Sequence, residues 1–295
     1  PMLRAADLML QEGVPKASAP VFPHAAEAGA RRIASAEEEG TMRVFTDPGG
    51  AAPEAHLLSN GHYHVVVTSA GGGYSRWRDL AVTRWREDAT RDSWGTFCYL
   101  RDAESGALWS TAWQPTLKTT KGYEAIFTQA RAEFRRRDEG IETHTEISVS
   151  PEDDIELRRI TLTNRSETAR TIEVTSYSEV VLAPRAQDLA HPAFSNLFVQ
   201  TELVRDRQAI LCTRRPRSAE ERPPWMMHQM TVRGTTVGKV SFETDRMAFI
   251  GRGRTAAAPA AMDSVAALTD TAGSVLDPVI SIRQVVRIKA GETMR

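Results

Sequence analysis

The feature that most constrains this chain is strict alternation between residues 141 and 175. Ile141-Glu142-Thr143-His144-Thr145-Glu146-Ile147-Ser148-Val149 leads to Ile155-Glu156-Leu157-Arg158-Arg159-Ile160-Thr161-Leu162-Thr163, and then to Thr171-Ile172-Glu173-Val174-Thr175. A period of two sends successive side chains to opposite faces of a strand. Pro151-Glu152-Asp153-Asp154 and Asn164-Arg165-Ser166-Glu167 supply turns and leave no room for a helix between strands, so the sheet is antiparallel. Its apolar face must pack on a second layer.

Short β-branched or aromatic runs bounded by turn residues recur: His62–Thr68, Thr96–Leu100 and Tyr123–Phe127, then 197–204, 208–214, 225–233, 238–243 and 279–289. Only Ala256–Leu268 offers a helical stretch in this region, and no repeat of fixed period is present. The expectation is a mainly β fold, a large antiparallel β-sandwich over 55–295. Residues 1–54 read differently, as a linker and short helical lead-in that packs on the body. Leu3, Leu8 and Leu10 give a helical stripe, Pro15, Pro20 and Pro23 break it, and an Ala/Glu/Arg run covers 24–39. The chain starts at Pro1 and ends on Gly291-Glu292-Thr293-Met294-Arg295, a turn entering another strand, which is expected of a piece of a longer polypeptide.

Charge narrows the partners. With 37 basic and 38 acidic side chains the net charge is −1, so nothing draws the chain globally to nucleic acid or to an anionic membrane. No stretch approaches the ~20 apolar residues of a membrane span. Cys98 and Cys212 each lie in an apolar run, which predicts buried free thiols and a reducing compartment.

Chemistry-bearing motifs are few. Ala70-Gly71-Gly72-Gly73-Tyr74-Ser75 lacks the Gly-Lys-Ser/Thr ending of a phosphate loop and reads as a φ-permissive turn. The next twenty residues carry Tyr74, Arg76, Trp77, Arg84, Trp85 and Trp94 among Arg/Asp pairs. Aromatic faces beside planar hydrogen-bonding groups suit sugar rings, while the same residues also suit a loop pinned by Arg–Asp pairs and Trp packing; both readings stand. Arg131-Ala132-Glu133-Phe134-Arg135-Arg136-Arg137 is expected to be a solvated strand face. The seven histidines show no zinc spacing and no Gly-x-Ser-x-Gly elbow is present, so neither a metal, a cofactor nor a catalytic residue is nominated. His144 and Glu146 share a strand face and mark the one place for a mutarotase-like acid–base pair. Glycosidic chemistry needs a raised-pKa carboxylic acid facing a second carboxylate or a phosphate, and the sequence selects no such pair.

Longer strings carry a resemblance. Leu58-Ser59-Asn60-Gly61-His62-Tyr63, Gly72-Gly73-Tyr74-Ser75 and Leu80-Ala81-Val82-Thr83-Arg84-Trp85-Arg86-Glu87-Asp88 resemble the amino-terminal sandwich module of the cellobiose phosphorylase family, glycoside hydrolase family 94. Glu133-Phe134-Arg135-Arg136-Arg137-Asp138, Ser150–Arg159, His191-Pro192-Ala193-Phe194-Ser195-Asn196-Leu197-Phe198 and Cys212–Ser218 resemble the carboxy-terminal phosphorylase-like region of bacterial cyclic β-1,2-glucan synthases. The resemblance implies a galactose-mutarotase-like super-sandwich preceding an (α/α)6 barrel, with the general acid and the phosphate site in that barrel. It implies a non-catalytic module on the cytoplasmic side of a larger inner-membrane protein, whose other parts use UDP-glucose and phosphate. The partners implied are β-1,2-glucan or an oligosaccharide, and the adjacent barrel. An exposed sheet face adds a homodimer to the expectations. An autonomous carbohydrate-binding module is the alternative.

Overall fold

A computed structural model describes residues 42–50, 54–88, 90–216 and 218–295. The lead-in read over 24–39 and the Leu stripe before it lie outside the described residues. In chain order the strands are β1 (Arg43–Phe45), β2 (Ala55–Ser59), β3 (Tyr63–Thr68), β4 (Gly73–Trp77), β5 (Leu80–Thr83), β6 (Phe97–Asp102), β7 (Leu108–Ser110), β8 (Glu124–Thr128), β9 (Arg131–Asp138), β10 (Ile141–Val149), β11 (Glu156–Asn164) and β12 (Arg170–Pro184). Two short helices follow, α1 (Arg185–Ala190) and α2 (Pro192–Asn196). Then come β13 (Val199–Val204), β14 (Ala209–Arg214), β15 (Trp225–Gln229), β16 (Thr235–Asp245), α3 (Arg246–Ile250), β17 (Pro278–Ile288) and β18 (Thr293–Met294).

The alternating stretch folds as its period requires. β10 pairs antiparallel with β9 and with β11 in a six-stranded sheet of order β1-β8-β9-β10-β11-β18. The strand β1 lies within the stretch 1–54 that was read as lead-in, and it closes this sheet's edge against β8. The second sheet has nine strands, with β16-β17-β12-β5-β4-β3-β2 in order and β6 and β7 joined beside β12. β13-β14-β15 form a third.

Burial shows how the layers stack. β6 is buried along its whole length and β12 nearly so, because the large sheet is covered on both faces. Even-numbered residues of β12 face the other two sheets: Ile172 and Val174 pack with Ile141, Leu162 and Met294, and Val180 and Leu182 with Val199, Ile210 and Cys212. The odd-numbered face packs Tyr177 with Phe249, Ile250, Met262 and Leu268, and carries Glu173, Thr175 and Glu179. The result is an antiparallel super-sandwich, as expected, with both cysteines buried and unpaired.

Two expectations change. Ala256–Leu268 holds one 3-10 turn, Ala260–Met262, rather than a helix. Arg283, buried in β17, donates 2.6 Å hydrogen bonds to the carbonyls of Ala261 and Ala266, which pins the segment as an irregular cover over the large sheet. The basic run in β9 is not a uniformly solvated face either. Arg135 stays outside while Arg136 is 1% exposed, bonded through Nε and Nη2 to Asp138 at 2.7 and 2.9 Å and through its other donors to the Ala112 and Lys118 carbonyls. A buried charge is tolerated when it is paired and hydrogen-bonded in this way.

Candidate functional site

Period-two geometry divides the aromatic stretch 74–94. On β4, Tyr74 and Arg76 point to one face and Ser75 and Trp77 to the other. Trp77 turns inward: it packs against the core cluster that contains Val82 and Ile280, and its indole Nε1 donates to Asp154 Oδ2 at 2.5 Å. Arg76 is half exposed and donates to the Arg78 carbonyl at 2.7 Å. Tyr74 meets Trp85, with ring centroids 5.4 Å apart, and the Arg185 guanidinium lies 4.9 Å from the Trp85 ring. Trp77 and Arg76 therefore stand apart from the others, and the six candidates do not form one surface.

The loop that carries Trp94 is fixed by the glycines. Thr68 N donates to the Gly72 carbonyl at 2.9 Å, Gly72 N donates back to Thr68 Oγ1 at 3.0 Å, and Gly73 N donates to the Trp94 carbonyl at 2.7 Å. A Cβ on Gly73, where φ is +142°, would sit 1.9 Å from the Val66 carbonyl oxygen. The triple glycine is thus a close-packed turn that holds residues 92–94 against β4.

Arg84 is the centre of the arrangement. It is 5% exposed, and its Nη1 donates to Glu179 Oε2 at 2.8 Å and to Asp277 Oδ1 at 3.3 Å. Its Nη2 donates to Asn196 Oδ1 at 2.6 Å and to Asp188 Oδ1 at 3.3 Å. Arg246, the first residue of α3, donates to Glu179 Oε1 at 2.7 Å and lies 3.6 Å from Asp277, while Arg86 lies 3.5 Å from Asp188. Arg84, Arg86, Glu179, Asn196, Arg246 and Asp277, with Trp94, Pro192 and Ala193, line an open cleft of about 280 Å³ on the outer side of the large sheet, and Asp188 is buried against Arg84 and Arg86. Burial pushes the Asp277 carboxyl above its usual range and Glu179 pushes it further, against the pull of Arg84 and Arg246. Burial alone would lower the Arg84 guanidinium, but Glu179, Asp188 and Asp277 raise it.

Of the sequence candidates, the cleft gathers Arg84 and Trp94. Sequence reasoning missed Glu179, Asp188, Arg246 and Asp277, while Asn196 lay inside a string singled out only for its resemblance. Glu179 did leave a signal, as a lone acid in the run Tyr177–Val181. His144 and Glu146 do not line this cleft. His144 Nε2 is 2.8 Å from Glu133 Oε2, and Glu146 is held by Arg159 at 2.5 and 2.6 Å, all on the outward face of β9–β11. Burial would raise Glu133, yet His144, Arg131 and Arg135 hold its carboxyl below the ordinary range. Among the described residues, no three His, Cys, Asp or Glu side chains converge as metal ligands, and no helix is long and apolar enough to cross a membrane.

Two facing antiparallel layers, an irregular outer cover and a cleft cut beside it define a β-supersandwich module. Residues 38–295 match the glycosyl hydrolase 94 supersandwich domain, and the chain belongs to that family. It is 39% identical over 297 residues to cyclic beta-(1,2)-glucan synthase NdvB of Rhizobium meliloti (strain 1021), covering 99% of this chain and 10% of that protein. It is 31% identical over 150 residues to N,N'-diacetylchitobiose phosphorylase of Vibrio furnissii, covering 49% of this chain and 19% of the relative. Solabiose phosphorylase of Paenibacillus borealis is 26% identical over 220 residues, 72% of this chain and 27% of that protein. The chain thus spans between a tenth and about a quarter of the length of these relatives.

Proposed function

We propose that this chain is a non-catalytic module of a cyclic β-1,2-glucan synthase or related glycoside phosphorylase, supporting a neighbouring (α/α)6 barrel and contacting glucan. The observation that carries the reading is the engagement of every cleft carboxylate. Glu179 and Asp277 both lie between Arg84 and Arg246, and Asp188 lies between Arg84 and Arg86. Glu179 and Asp188 are buried and ion-paired, and although the Asp277 carboxyl lies above its usual range, no second carboxylate of the cleft stands free of an arginine to face it across a sugar. The same planar groups beside Trp94 suit hydroxyls and a ring face. UDP-glucose and phosphate are assigned to other parts of the full-length protein. A position on the cytoplasmic side of the membrane accords with two buried free thiols.

Isothermal titration of the chain with β-1,2-gluco-oligosaccharides tests the reading. It predicts weak binding that falls at least tenfold in Trp94→Ala or Trp85→Ala, and no phosphorolysis or hydrolysis in the same samples. Turnover by the isolated chain would refute the non-catalytic assignment. No heat at millimolar sugar would remove the glucan contact and leave a scaffold.

A further inference from the structure

Two strand edges stand open on the inner side of the large sheet, and residues Thr293–Arg295 show what fits between them. β18 pairs antiparallel with β11 at Leu162 and Thr163 only, so the edge of β11 from Glu156 to Thr161 carries no ladder among the described residues. β15 is likewise paired on one side, with β14. Arg295, next after β18, exchanges backbone hydrogen bonds with Arg233 at 2.5 and 3.2 Å, a reciprocal pair of the antiparallel kind. The line of β18 therefore runs between β11 and the segment that continues β15, bonded to each, and those two run parallel to one another on either side of it.

Burial marks the same slot. Inner-face side chains of β11 are buried where β18 covers the edge, as at Leu162, and half-buried where it does not, at Ile160, Arg158 and Glu156. Met226, His228, Met230 and Val232 form the matching half-buried row on the other bank. Ile160, Met230 and Val232 border one core cluster, that of Ile172, Val286 and Met294. The backbone agrees. Asn164 N donates to the Glu292 carbonyl, so even-numbered residues of β11 turn their polar groups to the slot, while the Ile155 carbonyl accepts from Ser150 N on the β10 side. Met230 N donates to the Gln208 carbonyl on the β14 side, which leaves Gln229 and Thr231 facing the slot with Arg233. Unpaired edges of this kind are templates for a further strand.

We propose that this slot is the docking site for one extended segment that prolongs β18 beyond Arg295 and joins the six-stranded and three-stranded sheets into a single layer. The two registers fix its pattern. Met294 faces inward, so the first added residue falls between Ile160 and Val232, the third between Arg158 and Met230, and the fifth between Glu156 and His228. The segment is therefore apolar at its first and third residues, where Met230 and the Arg158 stem flank it, and polar at its fifth. The inference rests on the chain being a module of a longer polypeptide, as proposed above, and not on glucan contact.

The test extends the chain after Arg295 with Val-Glu-Val-Thr-Thr, which has this pattern, or with Glu-Val-Thr-Val-Thr, the same composition slipped by one residue. Such a slip turns the apolar set outward. Amide hydrogen exchange is followed in both and in the unextended chain, with circular dichroism to check that each keeps the fold. The matched extension should slow exchange at Arg158, Ile160, Gln229 and Thr231 at least tenfold, and the slipped one should not. Equal protection by both extensions, or none by the matched one, would overturn the inference. Protection of the same amides in the unextended chain that rises with its concentration would also overturn it, by giving the edges to a second copy. None of these outcomes touches the non-catalytic assignment, which turnover assays test separately.

Discussion

His228 sits on the inward-facing side of β15 with Nε2 2.8 Å from the Ser176 hydroxyl, on the other side of the large sheet from the cleft. Burial lowers its pKa from 6.5 to about 4, with Glu156 pulling upward and Arg158 downward. Between those values the unfolded chain binds a proton that the folded chain refuses, so the unfolded state carries more protons and stability rises with pH. The contribution is complete above about 6.5, declines as pH falls towards 4, and changes no further below that. The slope is at most roughly 1.4 kcal/mol per pH unit. His228→Gln should therefore flatten the pH dependence of the urea midpoint within this window. Identical slopes for wild type and variant would show that His228 does not carry the effect. Sequence could place this histidine in a strand, but its environment depends on Ser176, 52 residues away.

Strands are the elements that sequence announces best here, because each is half-buried or wholly buried and its pattern states which. β10 and β11 alternate and were legible to within a residue or two, while β12 runs nine residues beyond the alternating Thr171–Thr175, through the apolar Val180–Ala183 to Pro184. The candidate site was less legible for a geometric reason. Arg84, Trp85 and Arg86 are consecutive, so an extended backbone sends Trp85 to Tyr74 and both arginines to the cleft, and composition alone merges them. The partners of Arg84 arrive from 95 to 193 residues downstream, beyond any local pattern. The turn that organises this region has a sharp requirement of its own. Gly73→Ala would force its methyl into the Val66 carbonyl, so we expect a loss of at least ~2 kcal/mol in urea unfolding, in the upper range for single substitutions. Gly61→Ala, where a Cβ meets nothing within 4 Å, is the control for positive φ alone and should cost less. Equal losses at the two sites would show that the β3–β4 approach is looser than described.

At the scale of the molecule, residues Met42–Arg295 form one compact unit in which the large sheet is shared by every layer. Its two thiols report on different layers. Cys98 belongs to the cluster between the large and six-stranded sheets, and Cys212 to the cluster beneath the three-stranded sheet. Burial pushes both thiols up to about 12, so in the folded state they are withheld from reagent and also held protonated. β12 supplies Ile172 and Val174 to one cluster and Val180 and Leu182 to the other. Opening either layer exposes part of the same strand, which couples the two. Single-thiol variants, Cys98→Ser and Cys212→Ser, should then react with Ellman's reagent at the same urea concentration, coincident with the loss of far-ultraviolet dichroism. The three-stranded sheet has no ladder to either larger sheet among the described residues and is tied to the large one by packing and a few side-chain hydrogen bonds, such as His228–Ser176 and Thr201–Thr244, so it is the layer that would open first if the coupling were weak. Reaction of the Cys212 thiol well before Cys98 and before the dichroism changes would make β13–β15 a separately opening unit, and the super-sandwich a less cooperative body than its shared central strand implies.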